Sequence, residues 1–491
     1  MDFDIQLLDT AGHAGRDSAD SAYGQGRKIK ETGSICPVCL DRVEGEIFER
    51  HGEVWMDKRC GRHGRFSSLL SSDVRHYHTA AAPQTSSGCC TSGCGVAAEP
   101  AADGGTAPWA NHSCTVLIEI TERCNLSCPT CFAGSSPEHS RQLSLDEFTK
   151  QVDRLAARGK RGADMIQLSG GEPTIHPDFF NMIEALFERG FHQVCINSNG
   201  IKLAQRAFVE RLAACREQYP EGALFIYLQF DGFDEATHDQ LRGRADLLAK
   251  KRKAMRHCLD AGISVHPVMT LTRGINDHEV GDFVRLAVEV PELKNVVIQP
   301  AMYSGRYDNP RRGDRITLAD TVHLICDQFG LFEPGDFTPI PCSDPNCFGM
   351  AVALRTPRGL LPVSRLFPRY ETWNEADAQA LIDGLCDTID GPRAIGEAAR
   401  WATEEGRLRG LLEQLEEDEV DVLLDALLDA QAAGRSLWDS ALTISIKPFM
   451  DAWSYDQDRI DACCVHILDP EGNPVSFCEY NAVNRPRMGA A

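Results

Sequence analysis

The chain has 491 residues, 25% of them charged and 43% apolar, the balance of a globular protein long enough for about two to four domains. A net charge of −22 argues against a nucleic-acid partner, because such binding needs basic surface against phosphate, though it leaves room for one local basic groove. No stretch approaches the ~18 consecutive apolar residues of a membrane span, and the opening MDFDIQLLDTAG lacks the order of a secretory signal, so the expected compartment is the cytoplasm.

Twenty cysteines in such a chain read as metal or iron–sulfur ligands, since a disulfide framework belongs to short exported chains. Cys195, Cys215, Cys258, Cys326 and Cys386 stand singly in apolar segments and are expected to be buried small hydrophobes. In chain order, residues 1–34 are polar and aperiodic, a loosely ordered leader. Residues 35–80 form a rubredoxin-like or zinc-knuckle-like segment. Its Cys36, Cys39, Cys60 and His63 follow C-x2-C-x20-C-x2-H, four donors suited to zinc or a single iron. Residues 81–112 are a Cys/Gly/Ala-rich linker whose Cys90 and Cys94 are alternative donors.

From 113 to 305 the text is regular. Short apolar runs at 114–121, 164–170, 193–200, 224–232, 264–271 and 295–300 read as strands. Between them lie amphipathic helices at 144–159, 178–189, 203–217, 246–261 and 278–288, the first opened by a capping box of Ser144 and Glu147. This α/β alternation implies a parallel sheet, as a partial barrel or a doubly wound fold, with the site at the carboxyl ends of the strands. Residues 306–491 are a mixed α+β region. GLLEQLEEDEVDVLLDALLDAQAAG is an acidic helical pair, and Cys342, Cys347, Cys463, Cys464 and Cys478 lie in turn-rich sequence. Neighbouring cysteines in loops make poor disulfides, so auxiliary iron–sulfur clusters are the expectation there.

Cys124, Cys128 and Cys131 occupy the loop after the first strand as C-x3-C-x2-C. Three thiolates can hold three irons of a cubane and leave the fourth iron open, or they can form a zinc knuckle completed by a distant ligand. At the following strand ends stand Gly170, Gly171 and Glu172, then Ser198 and Asn199, then Gln229 and Asp231. The last four either face one shared mouth or cap the helices that follow.

The cysteine loop, the aromatic Phe132 beside Cys131 and the GGE of LSGGEPTIHP together resemble the radical S-adenosylmethionine (SAM) superfamily. The resemblance covers roughly residues 114–305 and implies a partial (β/α)6 barrel with a [4Fe-4S] cluster on Cys124, Cys128 and Cys131. SAM would chelate the open iron. Gly170, Gly171 and Glu172 would meet its amino group, and Ser198, Asn199, Gln229 and Asp231 would be further cofactor contacts. One electron from a flavodoxin or ferredoxin would cleave the sulfonium to a 5′-deoxyadenosyl radical, which removes hydrogen from an unactivated carbon. No catalytic acid, base or quenching side chain is assigned.

The wider layout, with CPVC and CxxHG ahead of the barrel and CCxH with FCxYN after it, is similar to the subfamily of the archaeal tetraether lipid synthase. Relatives there have also been labelled pterin-methylating enzymes. That resemblance implies auxiliary iron–sulfur clusters, one mononuclear iron or zinc, and carbon–carbon bond formation on lipid chains with peripheral membrane contact. The alternatives are methylation of a pterin-like small molecule, peptide maturation, and a non-enzymatic zinc module on a degenerate barrel. An apolar tunnel at the barrel mouth would favour lipid, a polar pocket would count against it, and the intact GGE counts against the zinc module.

Overall fold

The computed structural model describes residues 23–80, 113–158, 163–307, 315–340, 343–366 and 437–489, with scattered positions between 421 and 432. Cys90, Cys94, Cys342, Cys386 and most of the acidic helical pair lie outside the described residues.

An antiparallel meander comes first: β1 (Arg27–Ile35), β2 (Arg42–Arg50), β3 (Glu53–Cys60) and β4 (Gly64–Ser71), paired in chain order. Its 36–41 and 61–63 connections fall at the same end, which gathers the metal-type donors. The leader expected over residues 1–34 is therefore corrected for 27–34, which are strand. The reason is polar burial: Thr32 donates to Asp456 at 2.6 Å and Ser34 to the Tyr455 carbonyl at 2.6 Å. Apolar periodicity cannot flag a strand buried through hydroxyls.

The main sheet is built on six parallel strands in chain order: β5 (Thr115–Thr121), β6 (Met165–Gly170), β7 (Gln193–Ser198), β8 (Ala223–Gln229), β9 (Ser264–Leu271) and β10 (Asn295–Pro300). Each strand reads as an apolar run because both its faces are covered. Outward residues such as Val116, Ile118 and Ile120 pack on Phe148, Val152 and Leu155 of the helix Leu145–Ala156. That helix starts at the expected capping box, with Glu147 N–H donating to Ser144 Oγ and Ser144 N–H donating back to the Glu147 carboxylate.

The segment after residue 306 extends this sheet at both edges. From it come β11 (Gly349–Thr356), β12 (Gly359–Pro362), β13 (Ala441–Ile446), β14 (Val465–Leu468) and β15 (Pro474–Ser476). β13 runs parallel beside β10 and β14 parallel beside β5, and antiparallel β11, β12 and β15 finish the edges. Outside residues 113–305 the described helices Val74–Ala80 and Leu318–Phe329 escaped the sequence reading, and inside that range one did, Glu235–Arg242. Asp234 caps its start, Gly243 closes it at φ +70°, and its buried face is only Thr237, His238 and Leu241.

The side chains that alternate with the outward core line the barrel interior. At depth they are mainly apolar, with Met165, Cys195, Tyr227, Val268 and Val297 in contact, and His266 set against Tyr227 among them. Toward the carboxyl ends they are polar: Ser169, Asn197, Gln229, Thr270, Gln299 and Lys447. Among the described residues no helix is long and apolar enough to cross a membrane.

Candidate metal centres and active site

The best-formed metal geometry is in the meander. Ligand atoms of Cys36, Cys39, Cys60 and His63 all lie within 4.8 Å of one another. Cys39 and Cys60 sulfurs are 3.8 Å apart, and His63 Nδ1 is 3.5 Å from both Cys36 and Cys60 sulfurs. These are the edges of a tetrahedron around an ion with metal–sulfur bonds of about 2.3 Å. Backbone donation from Arg62 pulls the Cys60 thiol down to about 6, so a thiolate stands ready at neutral pH. The donor set supports a mononuclear metal, set against the C-terminal segment by Trp453, whose ring meets Phe66 at 5.6 Å. Replacing Cys60 with Ser is expected to lower retained metal in this segment to background. Metal analysis after dialysis reads it; full retention would show that these four atoms are not the site.

The second constellation is the loop after β5. Cys124 and Cys128 are buried and Cys131 is half-buried, packed with Leu126, Ile201 and Leu247. Burial pushes the Cys124 thiol up to about 12, with Glu172 and the two neighbouring cysteines adding to it. Burial also raises Cys128, opposed by the Arg242 and Lys251 cations. Asn199 Nδ2 is 4.0 Å from the Cys124 sulfur and donates to Asn125 at 2.7 Å. Three neighbouring thiols, two of them buried beside fixed cations and an amide donor, fit an anionic cluster that replaces the protons with iron.

The loop is held by a residue that sequence reasoning missed. The Arg306 guanidinium donates to the carbonyls of Cys128 (2.9 Å), Gly134 (2.5 Å) and Ser135 (2.7 Å), and its backbone N–H donates to Cys131 O at 3.0 Å. Gly305 allows this approach: at φ +61° a side chain there would sit 2.3 Å from Phe132 O. Phe132 in turn packs edge-on against Phe477 at 5.6 Å. Arg306→Gln is expected to weaken cluster retention roughly 10–100-fold. Iron and sulfide content after reconstitution, with folding checked by circular dichroism, measures it.

The GGE stretch abuts the loop through backbone. Gly171 N–H donates to Thr121 O at 2.7 Å and Glu172 N–H to Arg123 O at 3.0 Å. Gly170 has φ +124°, and a Cβ there would lie 2.1 Å from Thr121 O, so glycine is required. The Glu172 carboxylate is 1% exposed and is used inside the protein. It accepts from Thr174 N–H (3.2 Å), Thr174 Oγ1 (2.6 Å), Ser198 Oγ (2.9 Å) and Asn199 N–H (2.8 Å). Burial raises its pKa and these four donors pull it back. Glu172 and Ser198 thus brace β6 against β7, so any direct contact of this stretch with SAM falls to the backbone.

Gln229 sits at the mouth. It donates to Asn197 Oδ1 at 2.8 Å and accepts from Arg242 at 2.9 Å. Asp231 requires correction. It has no exposed surface, and its oxygens are taken by Arg242 (2.8 and 2.5 Å), Lys251 (3.2 Å) and Thr270 N–H (3.2 Å). Despite burial, Arg242 and Lys251 hold its pKa far below the carboxylate range. It is a counter-ion beneath the mouth, too enclosed to touch a cofactor. Burial lowers Lys251 to about 8, still charged at neutral pH.

Three C-terminal thiols lie in one neighbourhood, though among the described residues only the ribbon's four donors fall within 4.8 Å of one another. The charges of Cys347 and Cys463 both add to the burial that raises Cys478, and Cys463 is itself raised to about 11, mainly by burial. Arg459 donates to the Cys347 sulfur at 3.3 Å and Met450 N–H to the Cys478 sulfur at 3.3 Å. Cys464 is buried next to Cys463, its carbonyl accepting from Thr115 N–H at 3.3 Å. Of the single cysteines, Cys195, Cys215 and Cys258 are buried and Cys326 is half-buried.

A partial parallel barrel whose first strand-end loop carries three cysteines, with a glycine pair pressed against that loop, is the arrangement of a radical SAM enzyme, and this chain carries a radical SAM domain. The superfamily model matches residues 118–287, and the HMPTM N-terminal zinc ribbon domain matches residues 28–72. The chain is 29% identical, over 94% of both sequences, to 7,8-dihydro-6-hydroxymethylpterin dimethyltransferase of Methanocaldococcus jannaschii. It is 26% identical to the GTP 3',8-cyclase of Desulforamulus reducens, over 44% of this chain and 64% of that one. Among solved structures, Streptococcus suis SuiB bound to S-adenosylmethionine aligns at 19% identity and a TM-score of 0.34, over 43% of this chain and 46% of that one. The radical SAM class brings a [4Fe-4S] cluster and SAM as cofactors.

Proposed function

We propose that the protein is a radical SAM methyltransferase acting on a flat, polar, pterin-like heterocycle. The observation that carries this reading is the end-to-end likeness, over 94% of each chain, to a pterin dimethyltransferase. The polar mouth supports it. Ser169, Asn197, Gln229, Thr270 and Gln299 offer hydrogen-bond donors and acceptors suited to ring nitrogens and carbonyls, and Lys447 stands 5.6 Å from the Tyr227 ring centre. The lipid-coupling reading, and the membrane contact that went with it, lose ground here because an alkyl chain would set hydrocarbon against a polar mouth and use none of the hydrogen-bonding capacity that these groups' contacts with one another leave over.

Cys124, Cys128 and Cys131 would hold the cluster, and Arg306 and Asn199 would fix the loop and its sulfur. When bound, the cluster and SAM supply one-electron cleavage to a carbon radical that removes hydrogen from the substrate. The chain's own work is to present the ring to that radical and to keep water away. Cys347, Cys463 and Cys478 would hold an auxiliary iron–sulfur cluster, and the ribbon metal would be zinc, a structural staple. Anaerobic incubation with reductant, 6-hydroxymethyl-7,8-dihydropterin and SAM, which would supply the radical and, as a second molecule, the methyl group that takes the place of the abstracted hydrogen, should give a product carrying one or two added methyl groups, read by mass spectrometry. Unchanged pterin beside a coupled product from added lipid extract would reverse the order of the two readings. For the auxiliary site, Cys463→Ala should remove about four irons per chain and leave the radical cluster's SAM cleavage detectable.

A further inference from the structure

The most telling surface outside the barrel is basic. A groove of about 840 Å³ reaches Cys124 and is walled by Arg123, Lys202 and Arg211, with no acid among its lining residues. Arg211 is fixed by its guanidinium, 3.8 Å above the Phe180 ring centre. Across Arg206 the surface passes to a second groove of about 530 Å³, where Arg252, Lys253 and Arg256 stand with a single acid, Glu235. Among the described residues no ion pair joins an acid to Lys202, Arg211, Arg252, Lys253 or Arg256. In a chain with 72 acidic and 50 basic residues, a stripe of cations ending at a cluster cysteine, in which only Arg206 among the described residues is paired with an acid (Asp260, 3.1 Å), is against the overall balance.

We propose that this stripe is the docking face for an acidic one-electron carrier protein. The proposal rests on the radical SAM reading. The cluster at Cys124 has to receive an electron from outside, and the stripe leads an acidic carrier to the edge where that sulfur lies. One electron leaves the carrier, whose redox group is oxidised by losing it, and the cluster is reduced by gaining it; no bond forms or breaks. Opposite charge steers such an encounter and raises its rate 10- to 1000-fold at low salt, which is the effect a redox partner of modest affinity needs.

The test compares two reductants, photochemically reduced flavodoxin and dithionite, reading 5′-deoxyadenosine at low and at high salt. Two double variants are used, Lys202→Glu with Arg211→Glu, and Arg252→Glu with Lys253→Glu. None of these four side chains belongs to the cluster loop or the mouth. The expected result is a rise of about tenfold or more in the KM for flavodoxin at low salt, an effect that salt erases, with the dithionite rate unchanged. Equal behaviour of the two reductants in both variants, whether both fall or neither does, would overturn the proposal. So would single-stranded RNA binding that the variants abolish while the flavodoxin rate stays the same. A wild-type protein inactive even with dithionite would sink the underlying radical reading instead, and that outcome is separable from failure of docking.

Discussion

Asp231→Ala is expected to lower stability by about 3–5 kcal/mol, because it leaves two cations buried without their counter-ion. Asp231 is fully enclosed; Lys251 is 1% exposed and Arg242 12% exposed at the side chain. The loss extends past one pair. Arg242 also donates to Gln229 and to Thr270 Oγ1 at 2.9 Å each, and Lys251 donates to the Gln229 carbonyl. Unhooked, these groups release the carboxyl ends of β8 and β9 at the mouth and remove the cations that face Cys128. Urea midpoints would show the destabilisation. Reconstituted iron content should fall in the same variant, and an unchanged midpoint would mean that the network is bridged by something else.

The second large effect concerns Glu172. Glu172→Gln keeps the size and one oxygen but sets an amide N–H₂ against groups that donate, so it should cost roughly 1–3 kcal/mol. If the carboxylate acted only on bound SAM, stability without SAM would not move. The brace seen here predicts the opposite: a lower melting temperature in the SAM-free protein, with weaker SAM binding as a consequence of the displaced β6 and β7 ends. Calorimetry with and without SAM separates the two.

The six strands and the cysteine loop were legible because a buried parallel strand writes itself as an apolar run and a three-cysteine loop has local spacing. The capping box at Ser144 was likewise local. What escaped had no local signature. Arg306 meets Cys128 across 178 positions, and no pattern near YSGRYD announces it. Arg242 lies on a helix whose buried face is mostly polar, so its periodicity was faint. Asp231 was read as a cofactor contact because a carboxylate at a strand end looks available. Only the positions of Arg242 and Lys251 reveal that it is sealed. The nearness of Cys347 to Cys463 and Cys478 likewise depends on how β13 and β14 join opposite edges of one sheet.

The most direct test of the central claim is the yield of 5′-deoxyadenosine from SAM under anaerobic conditions with dithionite, measured for the reconstituted wild type beside Cys128→Ala. Wild-type protein should form the nucleoside and the variant should form none above background, while the ribbon metal at Cys36, Cys39, Cys60 and His63 is retained in both. Nucleoside formation that survives in Cys128→Ala, or is absent from both proteins, would contradict a SAM-cleaving cluster on the loop of Cys124, Cys128 and Cys131.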